Sequence, residues 1–391
     1  MYFPTLCPEL TNPALFSPGF ADPSREEVSC MNTYPKANLT QNQTAIDPFR
    51  MAAAFLIVAI HTAPLSTYSE TADFLFSYCL GRIAVPFFLM TTGYFALGPL
   101  LRDPHLPGRS LLKSIQKTAL LYLAATLLYL PVNIYSGKLP ALKDLFKVLV
   151  FDGTFYHLWY LPAALVGMLL LFLLAKVCRN RTLFFICVLL YLMGLLGDSW
   201  YGLIEKVTPI KVFYDGLFQI SSYTRNGIFY APIFLLMGAW FSRIQIHKRY
   251  DAAMVYLTSA LVCLVLMLGE GYLTFTLNWQ RHNSMYLFLI PCMYFLFQLL
   301  LCLPGKNSPF LRRITLLIYL LHPLVIILVR GFAKITHLSA YLVENSLLHY
   351  LAVCAGSFAI AFCLTFIQRK IFRRQRPSIY NISLKQEKKN V

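Results

Sequence analysis

Long apolar runs, separated by short polar and basic stretches, dominate the chain from about residue 49 to residue 368. A helix needs about twenty consecutive apolar residues to cross a bilayer, with a range of about 17–25. The runs of this kind lie at about 49–65, 74–98, 116–135, 158–177, 182–199, 226–242, 254–273, 284–303, 314–331 and 348–368. The pattern therefore predicts an all-α fold, a polytopic membrane bundle of about ten transmembrane helices.

Lys and Arg are distributed unevenly among the loops that connect these spans. The loops after the second, fourth, sixth and eighth spans carry most of them, together with the tail; examples are Arg102, Lys113, Arg181, Arg249 and Arg312. Loops with such an excess face the cytoplasm. We therefore expect both termini in the cytoplasm and a multi-pass protein of the plasma membrane.

The apolar runs also suggest how the chain is divided. Residues 46–368 are expected to form one membrane domain, preceded by a polar, disordered segment at 1–45 and followed by a basic cytoplasmic tail at 369–391. Two loops on the outer side, at about 136–157 and 200–225, are longer and rich in aromatic residues. Aromatic side chains favour the membrane interface, so these loops are candidates for interfacial or re-entrant segments.

Composition agrees with a membrane protein. The chain is 58% hydrophobic and 13% charged, with a mean hydropathy of +0.59, whereas soluble chains carry about 25% charged residues. The net charge of +17 does not indicate nucleic acid, because the basic residues lie in short clusters between apolar runs. The expected partner is the lipid bilayer. The ten cysteines are scattered without a CxxC pair, so neither a metal site nor a disulfide framework is expected.

The first span carries two polar residues that a lipid-facing helix would lack. Asp47 and Pro48 are typical of a helix start, with Asp47 as its cap. Arg50 and His61 are eleven residues apart, which is about 20° beyond three full turns, so they share one face about 16 Å apart along the axis. The first and sixth spans are short and polar, and we expect them to line a cavity.

Other ionisable residues at membrane depth are functional candidates because burying a charge there is costly. Arg82 lies in the second span at a depth where it could meet His61, and Pro86 is expected to kink this helix. Glu270, near the outer end of the seventh span, needs a partner such as Arg82, His61 or Arg225. Further candidates at or near the outer side are His157, Trp159, Arg225, Asn226, Arg281 and His322.

Several motifs together resemble the membrane-embedded acyltransferase-3 family. They are Arg50-x10-His61, the run from Arg82 to Tyr94, His157-Leu-Trp-Tyr-Leu, Thr224-Arg-Asn-Gly and Tyr319-Leu-Leu-His322-Pro, and the resemblance extends over about residues 44–368. Within the family, the chain is most similar to the membrane domain of VanT-type serine racemases, without their racemase domain. The family often has Ser-Gly where this chain has Thr92-Gly93, and many members have Arg where this chain has Val85.

The resemblance implies an enzyme that moves an acyl group, with acetyl expected, from cytoplasmic acyl-CoA to a hydroxyl or amine. The acceptor would be an extracytoplasmic glycan or another envelope molecule, and acyl-CoA would be a co-substrate rather than a permanently bound cofactor. Arg50 would hold the CoA phosphates. His61 would act as general base, Arg82 would stabilise the oxyanion, and Glu270 would orient His61 or balance Arg82. The substrate-binding residues would be His157, Trp159, Arg225, Asn226, Arg281 and His322.

Two other functional classes stay open on the sequence. A transporter for a small amino acid such as serine, linked to glycopeptide resistance, would use the same intramembrane His, Arg and Glu as a binding site or proton relay. A membrane sensor or partner subunit would tolerate replacement of these residues. The acceptor, the acyl chain length and the oligomeric state are not determined by these patterns.

Overall fold

A computed structural model of the protein describes residues 44–99, 108–243 and 250–374. Within these ranges the regular elements are helices, with one isolated β-bridge between Thr44 and Pro304. The longer helices are α1 (Ile46–Thr62), α2 (Glu70–Leu97), α3 (Arg109–Tyr135), α4 (Tyr160–Val177), α5 (Asn180–Leu196), α6 (Thr208–Ile220), α7 (Ala231–Phe241), α8 (Tyr250–Thr276), α9 (Leu289–Cys302), α10 (Pro309–Ile335) and α11 (Ser346–Arg374). Short helical turns cover 142–152 and Ala340–Glu344.

The predicted all-α membrane architecture is confirmed. Each of the ten predicted spans overlaps one of these helices. Six described helices, α2, α3, α4, α8, α10 and α11, are long and apolar enough to cross a bilayer. Helices α5, α7 and α9 are apolar but shorter, and α1 has 17 residues. The count of ten spans and the cytoplasmic location of both termini stay predictions.

Three helices present apolar surface to the outside of the bundle. Only 22% of the most apolar stretch of α3 and of α8 is buried, and 28% of that of α11, against 67% for α2. Large side chains such as Leu123 on α3, Val262 on α8 and Phe366 on α11 are exposed. An exposed apolar surface of this extent is suited to lipid rather than water.

Helix α7 forms the centre of the core and packs against α2, α4, α5 and α9. All of its residues except Trp240 are buried. A close approach of α7 to α2 depends on two glycines, Gly238 and Gly93. The expectation that the sixth span lines a cavity is therefore wrong for the helix itself, because α7 is apolar all round and enclosed by other helices.

Helix α2 departs from α-helical geometry in three places. Phe74–Cys79 and Gly93–Leu97 are π-helical, and Leu80–Ile83 is a 3-10 turn. The 3-10 turn ends three residues before Pro86, whose ring removes one backbone donor and strains the preceding turn. The distortion expected around Pro86 is thus present, and it places Arg82 on an irregular turn, a common setting for functional residues.

The outer loop predicted at 200–225 contains α6. Its surface carries exposed apolar residues such as Phe213 and an exposed ion pair in which Lys211 Nζ lies 2.9 Å from Asp215 Oδ2. An amphipathic helix of this kind suits a membrane interface. Nearly all of the polar segment predicted as disordered at 1–45 lies outside the described residues, as does most of the predicted tail at 369–391; α11 continues to Arg374.

Candidate functional site

A cavity of about 720 Å³ runs through the bundle between α1, α2, α3, α4 and α10. Its two ends differ in chemistry. We call the part lined by Arg50, Lys113, Lys117 and Arg312 the basic end. We call the part lined by His61, Tyr156, His157, Arg82, Trp159, Arg225 and Asn283 the histidine end. The two ends are joined along one wall by α1, which carries Arg50 near its start and His61 near its finish.

The basic end is organised by one buried carboxylate. Asp47 Oδ1 accepts a hydrogen bond from Arg50 Nε at 3.0 Å, and its Oδ2 lies 3.3 Å from Arg312 Nη1 and accepts from the Ser308 backbone N–H at 2.8 Å. Asp47 lies in the first turn of α1 and makes no cap hydrogen bond, so its prediction as the helix cap is wrong. It joins the starts of α1 and α10 instead.

Helix α3 contributes a polar face that the hydrophobic pattern did not reveal. Its cavity-lining residues are spaced three or four apart, which places them on one face: Ser110, Lys113, Ser114, Lys117, Thr118 and Leu121. The predicted span begins at about residue 116, which leaves Lys113 in a loop and Lys117 at the very start of the span. The helix begins at Arg109, so both lysines belong to it, and the i, i+3, i+4, i+7 spacing was the available signal.

The wall between the two ends is largely aromatic and apolar, and its other side chains are uncharged hydroxyls. It includes Phe88, Leu121, Tyr160, Leu316 and Tyr319. Such a wall fits an uncharged, extended group better than a charged one, because a charge would lose its hydration there without gaining a partner.

Three imidazoles and a phenol pack together at the histidine end. The His61 ring lies 4.9 Å from the Tyr156 ring and is stacked on His322 at 5.2 Å, between ring centroids. His157 meets His322 edge to face, also at 5.2 Å. His61 makes no hydrogen bond to any described residue and lines the cavity, whereas His322 is buried behind it and does not.

Hydrogen bonds fix which nitrogen of His322 carries the proton. Its Nδ1 lies 3.1 Å from the Ile318 carbonyl oxygen and 2.9 Å from that of Tyr319. A carbonyl only accepts, so Nδ1 is the donor and Nε2 holds the lone pair in the neutral ring. Burial lowers the pKa of His157, which precedes α4, well below its ordinary value, and His322 and His61 lower it further.

Arg82 is buried at the histidine end without a carboxylate partner in the described part of the chain. Its Nε donates to the Asn283 carbonyl oxygen at 2.7 Å and its Nη2 to Asn283 Oδ1 at 2.6 Å. The guanidinium also lies 5.5 Å from the centre of the Tyr78 ring. Arg82 and His61 line the same cavity but are not hydrogen bonded to each other.

Arg225 is held between aromatic rings. Its guanidinium carbon lies 4.3 Å from the centre of the Tyr223 ring and 5.1 Å from that of Trp159, and its Nη1 donates to Ser284 Oγ at 2.9 Å. Burial lowers the pKa of Arg225 to about 10, and the nearby Arg82 contributes. It stays charged at neutral pH.

Asp198 is a residue that the sequence patterns did not single out. Its Oδ1 accepts from the Ser284 and Met285 backbone N–H groups at 2.6 and 2.9 Å. Its carbonyl oxygen accepts from the Arg281 backbone N–H at 3.0 Å. Asp198 therefore fixes the segment that presents Asn283 to Arg82. A carboxylate at the end of an apolar run was the signal that could have indicated it.

Glu270 has a different environment from the one expected. Its Oε1 accepts from Trp200 Nε1 at 2.6 Å and from the Leu287 N–H at 2.7 Å, and its Oε2 accepts from the Phe288 N–H at 3.0 Å. The expected contact with His61, Arg82 or Arg225 is absent from the described residues. These bonds hold the connection that enters α9, because a carboxylate satisfies backbone donors at a helix start.

Two further candidates lie away from the cavity wall. Asn226 is buried and uses its Oδ1 to accept from the Ile228 and Phe229 N–H groups at 2.9 and 3.1 Å, which shapes the approach to α7. Arg281 donates to the Ser222 carbonyl oxygen at 2.9 Å and lies over the Phe218 ring. Neither lines the cavity, so the structure gives them no contact with a substrate placed there.

The described residues contain no group of three or more His, Cys, Asp or Glu side chains arranged to hold a metal ion. The imidazole cluster at the histidine end is therefore a stack of rings rather than a set of converging ligands. What the cavity offers is one accessible imidazole and two guanidinium groups at one end, and four cationic side chains at the other.

Comparison with known proteins shows the family to which the chain is related. A family model described as an acyltransferase domain matches residues 43–366. The chain is 42% identical over 334 residues to an amino-acid racemase of Enterococcus faecalis, covering 84% of this chain and 46% of that protein. It is 35% identical over 332 residues to a serine/alanine racemase of Enterococcus gallinarum, covering 83% and 46%. The chain thus spans just under half the length of these relatives, and no solved structure matches.

Proposed function

Since the chain belongs to the acyltransferase-3 family, we propose that it transfers an acyl group, with acetyl the first candidate, from acyl-CoA to a hydroxyl or amine. The single observation that supports this most is the continuous cavity, which joins a basic end to an accessible imidazole. Following the Lys and Arg bias of the loops, the basic end faces the cytoplasm and the histidine end faces the outside of the plasma membrane. The acceptor is an extracytoplasmic glycan or a smaller envelope molecule.

The donor is held at the basic end. Arg50, Lys113, Lys117 and Arg312 supply four positive charges there, and Asp47 offsets one of them. The excess of positive charge suits the phosphate groups of coenzyme A, which charge-assisted hydrogen bonds bind well. The uncharged pantetheine arm then follows the aromatic wall, and the thioester reaches His61, about 16 Å along α1 from Arg50.

His61 serves as the general base in this proposal. The acceptor oxygen or nitrogen attacks the thioester carbonyl carbon while the lone pair of the His61 ring takes its proton. The tetrahedral intermediate then expels the CoA sulfur, which takes the proton from the imidazolium, so the acceptor gains the acyl group and CoA leaves as a thiol. His322 acts as a positioning residue, because its fixed ring stacks on His61 at 5.2 Å.

Arg82 stabilises the oxyanion that forms on the thioester carbonyl. Two of its nitrogens are used by Asn283, and its Nη1 makes no hydrogen bond to a described residue and is available for this charge. A fixed donor is more effective than water because it needs no reorganisation during the reaction. Asp198 and Glu270 do not contact the reacting atoms and act indirectly, because they hold the segment that carries Asn283.

Removing charge from the basic end should weaken donor binding. The double substitution Lys113→Gln/Lys117→Gln is expected to raise KM for acyl-CoA roughly tenfold with little change in kcat, because an exposed charge pair contributes up to about 1 kcal/mol. The effect should shrink as ionic strength rises, since these lysines are exposed. Steady-state kinetics in detergent or nanodiscs at two salt concentrations would measure it.

Lys176→Gln is the matched control for that measurement, because Lys176 lies over the Phe172 ring and outside the cavity wall. It should leave KM unchanged. An unchanged KM in the double variant would exclude the basic end as the donor site.

Amino-acid transport is the second candidate, because the relatives are named racemases of amino acids. The relative from Enterococcus gallinarum is named as acting on serine and alanine. A cavity lined by cationic groups at both ends could also hold a zwitterion in transit. This candidate gives no role to acyl-CoA.

One experiment separates the two functions. Proteoliposomes that contain the protein are supplied with acetyl-CoA labelled in its acetyl group on the inside, or with labelled serine. In parallel, the envelope polymers of cells with and without the protein are compared by mass spectrometry. The proposal expects CoA-dependent transfer and an added acyl mass that is lost with the protein. Accumulation of serine without CoA, with no acyl mass in any envelope fraction, would replace it with transport.

A further inference from the structure

The histidine end carries more positive charge than the described residues neutralise. Arg82 donates to the backbone carbonyl and side-chain amide oxygens of Asn283, and Arg225 donates to the hydroxyl oxygen of Ser284. None of these oxygens carries a charge. The ion pairs formed within the described residues involve only Asp47 and Asp215 as acids, and neither is at this end. Charges held this far from water ordinarily have a counter-charge.

The nearest carboxylates do not make up the difference. Glu270 is hydrogen bonded to Trp200 and two backbone N–H groups, and it forms no ion pair with Arg82 or Arg225. Asp198 is close enough to Arg225 and Arg82 to interact with their charges, but it forms an ion pair with neither, and its buried Oδ2 has no hydrogen-bond partner among the described residues. One carboxylate set against two guanidinium groups leaves at least one positive charge in excess.

The same excess acts on a neighbouring histidine. His282, in the connection between α8 and α9, has its pKa lowered to about 4 by burial and then by Arg225, Arg281 and Arg82. The ring packs on Tyr223 at 4.4 Å, beside the Arg225 guanidinium. The potential around this segment is therefore positive even though His282 itself is neutral at pH 7.

Unused donors accompany the excess charge. The Nε of Arg225 is buried and has no hydrogen-bond partner, and the Nη1 of Arg82 has none among the described residues. The plane of the Arg225 guanidinium is fixed by Trp159 on the cavity wall and by Tyr223. A guanidinium with free N–H groups and a fixed plane is pre-organised to bind a carboxylate or phosphate.

We propose that the acceptor carries an anionic group, a carboxylate or a phosphate ester, which Arg225 binds while the acceptor hydroxyl or amine lies at His61. This inference rests on the proposed transfer reaction, because the bound molecule is an acceptor only if that reaction takes place. The donor does not supply the anion, because its phosphates stay at the basic end, beyond an aromatic wall. Arg82 stays directed at the thioester carbonyl, and Trp159 offers a flat surface for the body of the acceptor.

Acceptors matched except for charge provide the test. The purified protein in nanodiscs is given acetyl-CoA with serine or serinamide, galacturonic acid or galactose, and glycerol phosphate or glycerol. The anionic member of at least one pair is expected to be acetylated with a kcat/KM about 10- to 100-fold higher, the range for a hydrogen bond to a charged group. Arg225→Gln should bring that ratio close to one, and Arg225→Lys, which keeps the charge but loses the planar donors, should retain part of it.

Arg281→Gln is the matched control, since Arg281 lies in the α8–α9 connection that also carries Ser284, the hydrogen-bond partner of Arg225, and its guanidinium lies over Phe218 and away from the cavity. It should keep the wild-type ratio. Melting temperatures of all variants without ligand establish that each is folded before the ratios are compared.

Ligand-induced shifts in melting temperature, measured without CoA, separate this inference from the transfer reaction. A preference for anionic ligands that Arg225→Gln removes supports the inference even if no acyl transfer is found, in which case the proposed function fails alone. Equal shifts and equal rates within every pair would overturn the inference. Transfer from succinyl-CoA, whose acyl group is anionic, is compared with transfer from acetyl-CoA. The inference would also be overturned if the protein discriminated by charge only between these two donors, because the anion would then belong to the acyl group.

Discussion

Replacing His61 with alanine is expected to lower kcat for acyl transfer about 10²- to 10⁴-fold, the usual contribution of a general base. His61 lines the cavity, is only partly buried and makes no hydrogen bond to a described residue, so its lone pair is available to an acceptor, whereas the ring nitrogens of His157 on the same wall are buried. KM for acyl-CoA should change little, because the donor is held at the basic end. Transfer of labelled acetyl groups by the purified variant measures both constants.

Two further measurements make this prediction specific to catalysis. Added imidazole should partly restore activity to His61→Ala, which a variant with a collapsed fold would not show. His337→Asn is a suitable control, because His337 is exposed at the end of α10 and has a φ of 56° that asparagine tolerates. Transfer by His61→Ala at the wild-type rate would remove the imidazole from the mechanism.

Substituting alanine for Gly238 should cause a large loss of stability for the addition of a single methyl group. A methyl group on Gly238 would overlap the backbone carbonyl oxygen of Met90, and one on Gly93 would overlap that of Leu235. Since the obstructing atoms belong to the backbone, no side-chain rotation relieves the overlap, and α7 must move away from α2. Overpacking of this kind costs about 1–3 kcal/mol or more, and small residues at such crossings are what allow membrane helices to approach closely.

Gly269→Ala is the matched control, since a methyl group there meets no atom within 4 Å. It should leave the melting temperature in detergent unchanged or slightly raised, because alanine favours a helix over glycine by up to about 1 kcal/mol. Gly238→Ala should instead lower it by several degrees. Equal melting temperatures for the two variants would show that α2 and α7 do not approach this closely.

The helical architecture was predictable because it depends on a local property of the chain. A run of about twenty apolar residues is stable in lipid only as a helix, since the backbone must satisfy its own hydrogen bonds there. Each predicted span accordingly overlaps a helix. Boundaries were less accurate where polar residues continue a helix, as on α3, which begins at Arg109 rather than near residue 116.

The candidate site was predictable in part. The helical period puts Arg50 and His61 on one face of α1, and the structure places both on the wall of one cavity. The partners were not predictable in the same way. Asp47 was expected to cap a helix and instead pairs with Arg50 and Arg312, and Glu270 was expected to meet a cation and instead accepts from Trp200 and the start of α9.

Hydropathy and periodicity establish that this chain forms a helical membrane domain and which residues along each helix are too polar to face lipid, because both properties act over one or two turns. Only the packing of the bundle decides which of those residues meet. Asp198 holds a segment more than eighty residues further along the chain. Asn283 and Ser284 of that segment bind the guanidinium groups of Arg82 and Arg225 and so bring them to the end of the cavity where His61 lies. Such contacts depend on how whole helices pack, a non-local outcome with no counterpart in the local pattern of apolar and polar residues.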